Sequence, residues 1–398
     1  MNNARKPRAL FIVPAYYEAL EQKGVLDMLK QREEQDYFEK IITIHPLAPK
    51  DQTIRFSPGQ TIKEFKKPQS PQWRSLKAFF FALHLIKIIR ILSRLVKTED
   101  FDFIRAQDPY IIGFIGYAVA RLSGKKLCIS IHSDYLQRHK LDPVHGAPKI
   151  FGNRTLAEKL EIFILKRADL VLPIRESLKR QYVSRGIDET KIRVFPHAVD
   201  LSPYKKEPVL TDNFIKGISP DNPILSFVGR FSKENYIYDY LEVAKKLGRH
   251  YDFQMVLAGG GTEEDTIKEK VENDEGLKSK VLLPGFIDSE TVRILRQRSY
   301  INLSLMGGLS LIEACAAGKP VISYDVEWHH ELVQSGITGY LIPEKDIDEL
   351  CSKIEYLFKN PDLADKMGHQ ARNKAFTAHD ISLIVPLRQK IYNELLQR

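Results

Sequence analysis

The chain has 398 residues, of which 43% are hydrophobic and 28% charged. This composition is typical of a globular protein, unlike a disordered or fibrous one, and the length is sufficient for two domains that each bury a core. The net charge of +9 would suit an anionic partner, but no recognition motif accompanies it, so we do not expect nucleic-acid binding. The three cysteines (Cys128, Cys315 and Cys351) lack metal-ligand spacing and predict reduced thiols in a cytoplasmic protein.

Strand and helix patterns alternate along the chain. The apolar run Ala9–Val13 is too short for the core of a signal peptide and predicts a first buried strand. Further strands are predicted at Lys40–Ile44, Phe103–Arg105, Lys126–Ile131, Leu170–Pro173 and Ile192–Phe195, and then at Ile224–Gly229, Phe253–Ala258, Val281–Leu283, Ile301–Leu303, Val321–Tyr324 and Gly339–Ile342. Strands separated by helices indicate the α/β class, with parallel, doubly wound sheets.

A basic and apolar segment lies at residues 63–97. Lys and Arg recur there among Phe, Leu and Ile, and the helical part, Ala78 to Val96, carries too many charges for a clean membrane span. Two interpretations are open at this point. The helix either packs in the core with a basic outer face, or makes peripheral contact with an anionic membrane surface, which we expect to be the inner face of the membrane.

The strand series stops and restarts around Phe195–Pro203. We therefore predict two Rossmann-like domains, residues 1–198 and 199–378, and an amphipathic C-terminal helix in residues 379–398 that returns to the first domain. Two such domains that face each other form a cleft at the carboxyl ends of their strands, where open α/β sheets bind ligands.

The most informative stretch is Ser304–Ile322. It predicts a strand end, a turn at Gly307 and Gly308, a helix from about Leu309, and another buried strand. Glycines before a helix allow a ligand to approach the backbone, and the N–H groups of the first turn attract phosphate. Glu313, one turn into this helix, can accept hydrogen bonds from sugar hydroxyls; the alternative is a solvated residue in an ordinary strand–turn–helix unit.

Polar and glycine residues follow other predicted strands. Arg230 offers a guanidinium fork and Lys233 a mobile charge, which together can neutralise a diphosphate. Gly285 and Phe286 can hold a nucleobase, although core packing of Phe286 is an equal alternative. His132 follows a strand of the first half, where a neutral imidazole can bind a sugar hydroxyl or serve a structural role.

Together these features resemble the retaining glycosyltransferases of the GT-B fold, glycosyltransferase family 4, also called glycosyl transferases group 1. The segments that carry the resemblance follow one another in the family's order: Phe195–Asp200, Val228–Arg230, Leu257–Gly261, Pro284–Phe286 and Glu313–Val321. Each segment is a weak signal alone, whereas the ordered set is specific.

The resemblance implies transfer of a sugar, with retention at the anomeric carbon, from a nucleoside diphosphate sugar to a hydroxyl of a glycan or lipid-linked acceptor. Such reactions serve bacterial surface polysaccharide or glycoconjugate synthesis. The donor would bind mainly to the second domain and the acceptor to the first, with no metal or other cofactor. The implied roles are diphosphate contacts for Arg230 and Lys233, base contacts for Gly285 and Phe286, backbone N–H groups from Gly307, Gly308, Leu309 and Ser310, ribose contacts for Glu313, and a donor-sugar contact for His132.

Three positions depart from the family pattern. The lysine usually found five residues after the arginine is Asn235, the glutamate usually found eight residues before Glu313 is Leu305, and Pro14–Glu18 replaces a glycine-rich loop. These departures leave two alternatives open: a nucleotide-sugar-binding partner subunit with impaired catalysis, and a GT-B-like sugar epimerase, for which we find no well-placed acid–base pair.

Overall fold

The structure is a computed structural model that describes residues 5–22, 26, 37–68, 74–141, 146–150, 152–207, 214–219 and 221–397. Of the basic segment 63–97, residues 69–73 lie outside the described residues. The chain divides into two compact units: Met1–Pro196 together with Val385–Arg398, and His197–Ile384. None of the described helices is long and apolar enough to cross a membrane.

The first unit alternates strands and helices. Its described strands are β1 (Arg8–Ile12), β2 (Lys40–Ala48), β3 (Gln52–Ser57), β4 (Gln60–Lys66), β5 (Phe103–Gln107), β6 (Lys126–Ile131) and β7 (Leu170–Pro173). Its described helices are α1 (Tyr17–Gln22), α2 (Arg74–Thr98), α3 (Ile111–Ser123), α4 (Tyr135–Leu141), α5 (Arg154–Arg167) and α6 (Glu176–Ser184).

The described strands of this unit form one seven-stranded sheet in the order β3-β4-β2-β1-β5-β6-β7. Strand β3 is antiparallel to β4, and the other neighbouring strands are parallel. The sequence patterns do not predict β3 and β4. Strand β3 is the edge strand and β4 is its neighbour. Both alternate polar and apolar residues, so they lack the continuous apolar run of a buried parallel strand.

The predicted strand Ile192–Phe195 is wrong. This segment lies extended beside β7, where the Arg193 N–H donates to Val171 O (3.0 Å) and the Phe195 N–H donates to Pro173 O (2.8 Å). It forms only an isolated bridge at Ile192. The following Pro196 has no N–H to donate, so the ladder cannot continue beyond it.

The second unit repeats the alternating pattern, and its strands confirm the predicted positions. The strands are β8 (Ile224–Val228), β9 (Gln254–Ala258), β10 (Val281–Gly285), β11 (Ile301–Leu303), β12 (Val321–Tyr324) and β13 (Gly339–Ile342). The helices are α7 (Ile237–Leu247), α8 (Glu264–Glu272), α9 (Glu275–Lys278), α10 (Ser289–Arg298), α11 (Leu309–Ala316), α12 (His329–Leu332), α13 (Ile347–Lys359) and α14 (Pro361–His379).

The described strands of the second unit form a six-stranded parallel sheet in the order β10-β9-β8-β11-β12-β13. Buried apolar side chains on both faces of the sheet pack against the helices, as expected for parallel strands covered on both sides. The predicted α/β class, with two Rossmann-like sheets, is confirmed.

The last helix, α15 (Ile381–Gln397), begins in the second unit and continues into the first. Within the first unit, the Arg388 guanidinium donates to Pro196 O (2.5 Å). Tyr392 is 1% exposed, packs with Phe103 and Phe195, and accepts a hydrogen bond from Arg105 Nη1 at 2.7 Å. These contacts bury the end of the chain against the sheet of the first unit.

Candidate functional site

The loops that follow β8, β9, β10 and β11 lie close together at the carboxyl end of the sheet of the second unit, because these strands are parallel neighbours in the sheet. Backbone hydrogen bonds join three of the loops directly. The Phe231 N–H donates to Gly260 O (3.0 Å), and the Gly259 N–H donates to Gly285 O (2.8 Å). The structure therefore brings together the predicted segments after β8, β9 and β10.

Arg230 and Lys233 lie in the loop after β8, and both side chains are exposed. Among the described residues, neither has an ion-pair partner. The pKa of the neighbouring Glu234 carboxyl is lowered, first by a hydrogen bond from its own backbone N–H, then by one from Ser232, and less by the charges of Arg230 and Lys233. Asn235 Nδ2 donates to Arg230 O at 2.8 Å, so this amide stabilises the turn.

The loop between β11 and α11 is fixed from beneath by a buried histidine. The Gly307 N–H donates to Nε2 of His329 (3.2 Å), which is fully buried, and His329 Nδ1 lies 2.6 Å from Ser323 Oγ. Gly308 is the N-cap of α11, and the helix begins at Leu309, as predicted. The Leu311 N–H donates to Gly308 O (3.2 Å). The N–H groups of Leu309 and Ser310 precede the first intrahelical hydrogen bond, so they are available to an anion.

Glu313 is held by an arginine that the sequence did not mark. Arg296, whose side chain is 3% exposed, donates from Nη1 to Glu313 Oε2 and to Tyr204 Oη (3.2 Å), and from Nη2 to Ser310 Oγ (2.8 Å). Ser310 Oγ in turn donates to Val228 O at 2.8 Å. Burial raises the pKa of Tyr204 above its ordinary value, so its phenol stays neutral.

This network leaves Glu313 positioned but still accessible. Its side chain is 36% exposed, and within the described residues Oε1 accepts no hydrogen bond. A carboxylate with one oxygen held by an arginine and the other open can accept hydrogen bonds from hydroxyl groups.

Phe286 follows β10 and is 83% exposed, so core packing of this ring is excluded. Its ring lies over the glycine loop after β9, since a Cβ atom added to Gly260 would be 2.7 Å from Phe286 Cε2. The carboxyl end of this sheet therefore presents an exposed aromatic ring beside backbone groups.

Leu305, which stands where the family pattern has a glutamate, is fully buried in the core of the second unit. Its backbone N–H donates to Tyr240 Oη at 3.1 Å. The side chain thus packs in the core beneath the loops at the carboxyl end of the sheet and cannot contact a bound ligand.

His132 belongs to the first unit and is half-buried directly after β6. In the neighbouring strand–helix loop, Asp108 has a left-handed backbone (φ 75°) and donates its N–H to Ser130 O (2.9 Å). Burial raises the pKa of Asp108 to about 7, against a smaller opposing effect of the Tyr110 N–H, which donates to Oδ1 at 3.0 Å.

In the part of the chain that the structure describes, no group of three or more His, Cys, Asp or Glu residues could hold a metal ion. Metal independence remains a prediction.

Comparison with known proteins places both halves of the chain. The family model for "Glycosyl transferases group 1" matches residues 210–374, and the model for "Glycosyltransferase Family 4" matches residues 51–203. The alpha-D-kanosaminyltransferase of Streptomyces kanamyceticus is 24% identical over 300 residues, which cover 71% of this chain and 74% of that protein.

Two further proteins extend the comparison. The UDP-Gal:alpha-D-GlcNAc-diphosphoundecaprenol alpha-1,3-galactosyltransferase of Escherichia coli is 24% identical over 342 residues, 81% of this chain and 85% of that protein. The structure of Anabaena HepE in complex with UDP superposes with a TM-score of 0.70 at 16% identity, over 97% of this chain and 100% of that one. This likeness confirms the expected GT-B fold, and because the two family models together match most of its length, the chain belongs to the family 4 glycosyltransferases.

Proposed function

We propose that this glycosyltransferase moves a sugar, with retention at the anomeric carbon, from a nucleoside diphosphate sugar to a hydroxyl of a glycan or lipid-linked acceptor. The observation that carries the proposal is the arrangement of charged and backbone groups at the carboxyl end of the sheet of the second unit. Exposed Arg230 and Lys233, the first turn of α11, and the positioned Glu313 lie there together.

Each group has a defined part in this proposal. Arg230 and Lys233 neutralise the leaving diphosphate, together with the N–H groups at the start of α11, and this stabilisation supplies much of the catalysis. Glu313 accepts hydrogen bonds from the ribose hydroxyls through its open oxygen. Phe286 and Gly285 flank the base. No metal is required for charge neutralisation when a guanidinium, an ammonium and a helix terminus converge on one diphosphate.

The described residues at the carboxyl end of this sheet offer no obvious nucleophile or general base. We therefore propose a front-side, dissociative reaction in which the leaving phosphate oxygen accepts the proton of the acceptor hydroxyl as the new glycosidic bond forms. The role of His132 toward the donor sugar stays part of the proposal.

A lipid-linked acceptor is supported by the Escherichia coli relative, which acts on a diphosphoundecaprenol-linked sugar. We extend that acceptor class, and with it a role in bacterial surface polysaccharide or glycoconjugate synthesis, to this chain. A cytoplasmic location at the inner face of the membrane is part of the same proposal; it agrees with three buried cysteines that form no disulfide.

A second candidate is a partner subunit that binds the nucleotide sugar without transferring it. Two observations favour it: Leu305 is buried in the core, and the Asn235 amide is used in a local turn. The two candidates differ in turnover, since the subunit would bind the donor and release no product.

The test is turnover with a panel of nucleotide sugars and glycan or lipid-linked acceptors, followed by proton NMR of the new anomeric centre. We expect donor-dependent product with the anomeric configuration of the donor. Arg230→Ala should lower kcat by about 10²-fold or more, because a preorganised charge at the leaving group is lost. Arg249→Ala, which removes an exposed arginine before β9 at the opposite end of the sheet, is the matched control. An inverted product, or equal turnover by Arg230→Ala and the wild type, would contradict the proposal.

A further inference from the structure

Helix α2 has an unusual charge composition for its length. Its 25 residues include six Lys or Arg and no Asp or Glu. Two more exposed lysines, Lys66 and Lys67, precede it in the chain. Among the described residues, none forms an ion pair with Lys87, Arg90, Arg94 or Lys97. The helix therefore presents an uncompensated positive charge.

One face of α2 is exposed along its length and changes character midway. The first half of this face is apolar, and its members are 42–57% exposed: Leu76, Phe79, Phe80, Leu83 and Ile86. The second half is basic and also exposed: Lys87, Arg90, Arg94 and Lys97. At 100° per residue, all nine positions fall within about 120° of the helix circumference.

The opposite face anchors the helix to the first unit. Ile88, Ile89, Leu92 and Val96 are buried in the core beside the sheet, and His84 Nε2 lies 2.9 Å from Pro46 O. Both interpretations of the segment therefore apply to different faces: the inner face is a core helix, and the outer face is free in the described structure.

An exposed apolar stripe of five large side chains indicates a binding partner, since contiguous apolar surface marks an interaction site. The basic half of the same face selects an anionic one. We propose that the outer face of α2 binds the surface of an anionic lipid bilayer, with the apolar first half inserted among the acyl chains and the basic second half over the headgroups.

The geometry sets a tilt. Leu76 and Lys97 are separated by about 32 Å along the helix axis, so the helix cannot keep both ends at one depth when one end is apolar and the other is basic. The side chain of Phe80 should lie deeper than that of Lys97. The proposal deepens the proposed function, on which its link to a lipid-linked acceptor rests, whereas binding itself is measured without turnover.

The first experiment is flotation of the full chain with phosphatidylcholine vesicles and with mixed phosphatidylglycerol–phosphatidylcholine vesicles. We expect binding to the mixed vesicles only, weakened by added salt. The double variant Phe79→Ser/Leu83→Ser should lose about tenfold or more in binding, because two inserted side chains are removed. The matched control Ile337→Ser/Leu383→Ser removes two side chains of similar exposure, 53% and 54%, elsewhere on the chain and should bind like the wild type.

Charge and depth give separate readouts. Arg90→Gln/Arg94→Gln should lower binding to the mixed vesicles by about tenfold or more, with Arg249→Gln as the control. A bimane label on Phe80→Cys should be quenched more strongly by doxyl lipids than one on Lys97→Cys; the native cysteines are buried.

Three results would overturn the proposal: no binding of the wild type to the mixed vesicles, unchanged binding of Phe79→Ser/Leu83→Ser, or equal quenching at both labelled positions. A change from dimer to monomer in Phe79→Ser/Leu83→Ser with unchanged vesicle binding would instead assign the face to a second copy. Donor turnover measured without vesicles separates the two claims, because lost vesicle binding with retained turnover leaves the proposed function standing.

Discussion

Glu313 and Arg296 form the best-defined pair of side chains at the carboxyl end of the sheet of the second unit. Arg296 holds one carboxylate oxygen and is itself fixed by Tyr204 and Ser310. A carboxylate whose position is set before a ligand arrives loses less conformational freedom on binding. Arg296 therefore acts as a positioning residue in the proposed donor site.

Replacing Arg296 by Lys should weaken nucleotide binding by about tenfold, because the ammonium keeps the charge but cannot hold Glu313 and Ser310 through a fork. Calorimetric titration with the preferred nucleotide measures this effect. In a double-mutant cycle, Arg296→Lys should have little further effect once Glu313 is Ala. Arg293→Lys is the matched control, since Arg293 is equally buried on the same helix but pairs with Glu290. Equal losses in the Arg293 and Arg296 variants would contradict the positioning role.

Asp108 should make the stability of the first unit depend on pH. Its folded pKa is about 7, raised by burial above the ordinary 3.8, so the folded state favours the protonated carboxyl. This contribution is fully present below about pH 4 and is lost as pH rises through about 7, with a total on the order of 4 kcal/mol. Thermal unfolding across this range measures it.

The variant Asp108→Asn keeps the hydrogen bond to Tyr110 and tolerates the left-handed backbone, but it cannot ionise. It should be more stable than the wild type at pH 8 and show a flatter dependence of Tm on pH. Asp221→Asn, an exposed carboxylate, should leave the profile unchanged. A wild-type profile in Asp108→Asn would mean that Asp108 does not titrate in this range.

At this scale the sequence predicts which residues follow strands, but not which side chains support them. Glu313 and Phe286 are apparent because of their neighbours along the chain. Arg296 and His329 are distant in sequence from the loops that they hold, and no local pattern marks a buried polar residue whose partners come from other elements. Likewise, Leu305 is recognisable as a departure, whereas its burial follows only from the packing around it.

Among the elements, the loops after β8, β9 and β10 depend on close backbone contact. A Cβ atom added to Gly259, which has φ 132°, would lie 2.0 Å from Gly229 O. Gly285 also has a positive φ, 73°, but a Cβ atom there would meet no heavy atom within 4 Å. A substitution at Gly259 therefore tests the close contact between loops, whereas one at Gly285 tests only the cost of a left-handed backbone.

Gly259→Ala should destabilise the second unit by roughly 3 kcal/mol or more, because the loops after β8 and β9 must separate. Gly285→Ala should cost about 1 kcal/mol, the penalty of a left-handed residue alone. Denaturant unfolding of the two variants measures the difference. Similar losses in both would indicate that the loops are not in contact as described.

Prediction of whole elements is reliable where strands are buried and parallel. Apolar runs predict strands β8 to β13. They do not predict the edge strand β3 or its neighbour β4, because both strands alternate polar and apolar residues and resemble loops. The sequence predicts a helix in the region of α2. Its division into a buried inner face and an exposed outer face depends on which side meets the sheet, and that is a property of the tertiary fold.

For the whole molecule, the restart of the strand pattern after Phe195 predicts two α/β units, and the structure has two. The division between the units falls at Pro196 and His197, and residues from Val385 onward belong with the first unit. In the proposed function, the second unit binds a nucleoside diphosphate sugar at the site formed by Arg230, the start of α11 and Glu313.

The most direct measurement of that claim is thermal stabilisation of the full chain by a panel of nucleoside diphosphates and nucleotide sugars. The wild type is compared with Arg230→Ala, Glu313→Ala and the control Arg249→Ala. We predict that one nucleotide raises Tm selectively for the wild type and the control, and that both site variants lose this shift. Stabilisation that persists in Arg230→Ala and Glu313→Ala, or no stabilisation of the wild type by any member of the panel, would contradict the account.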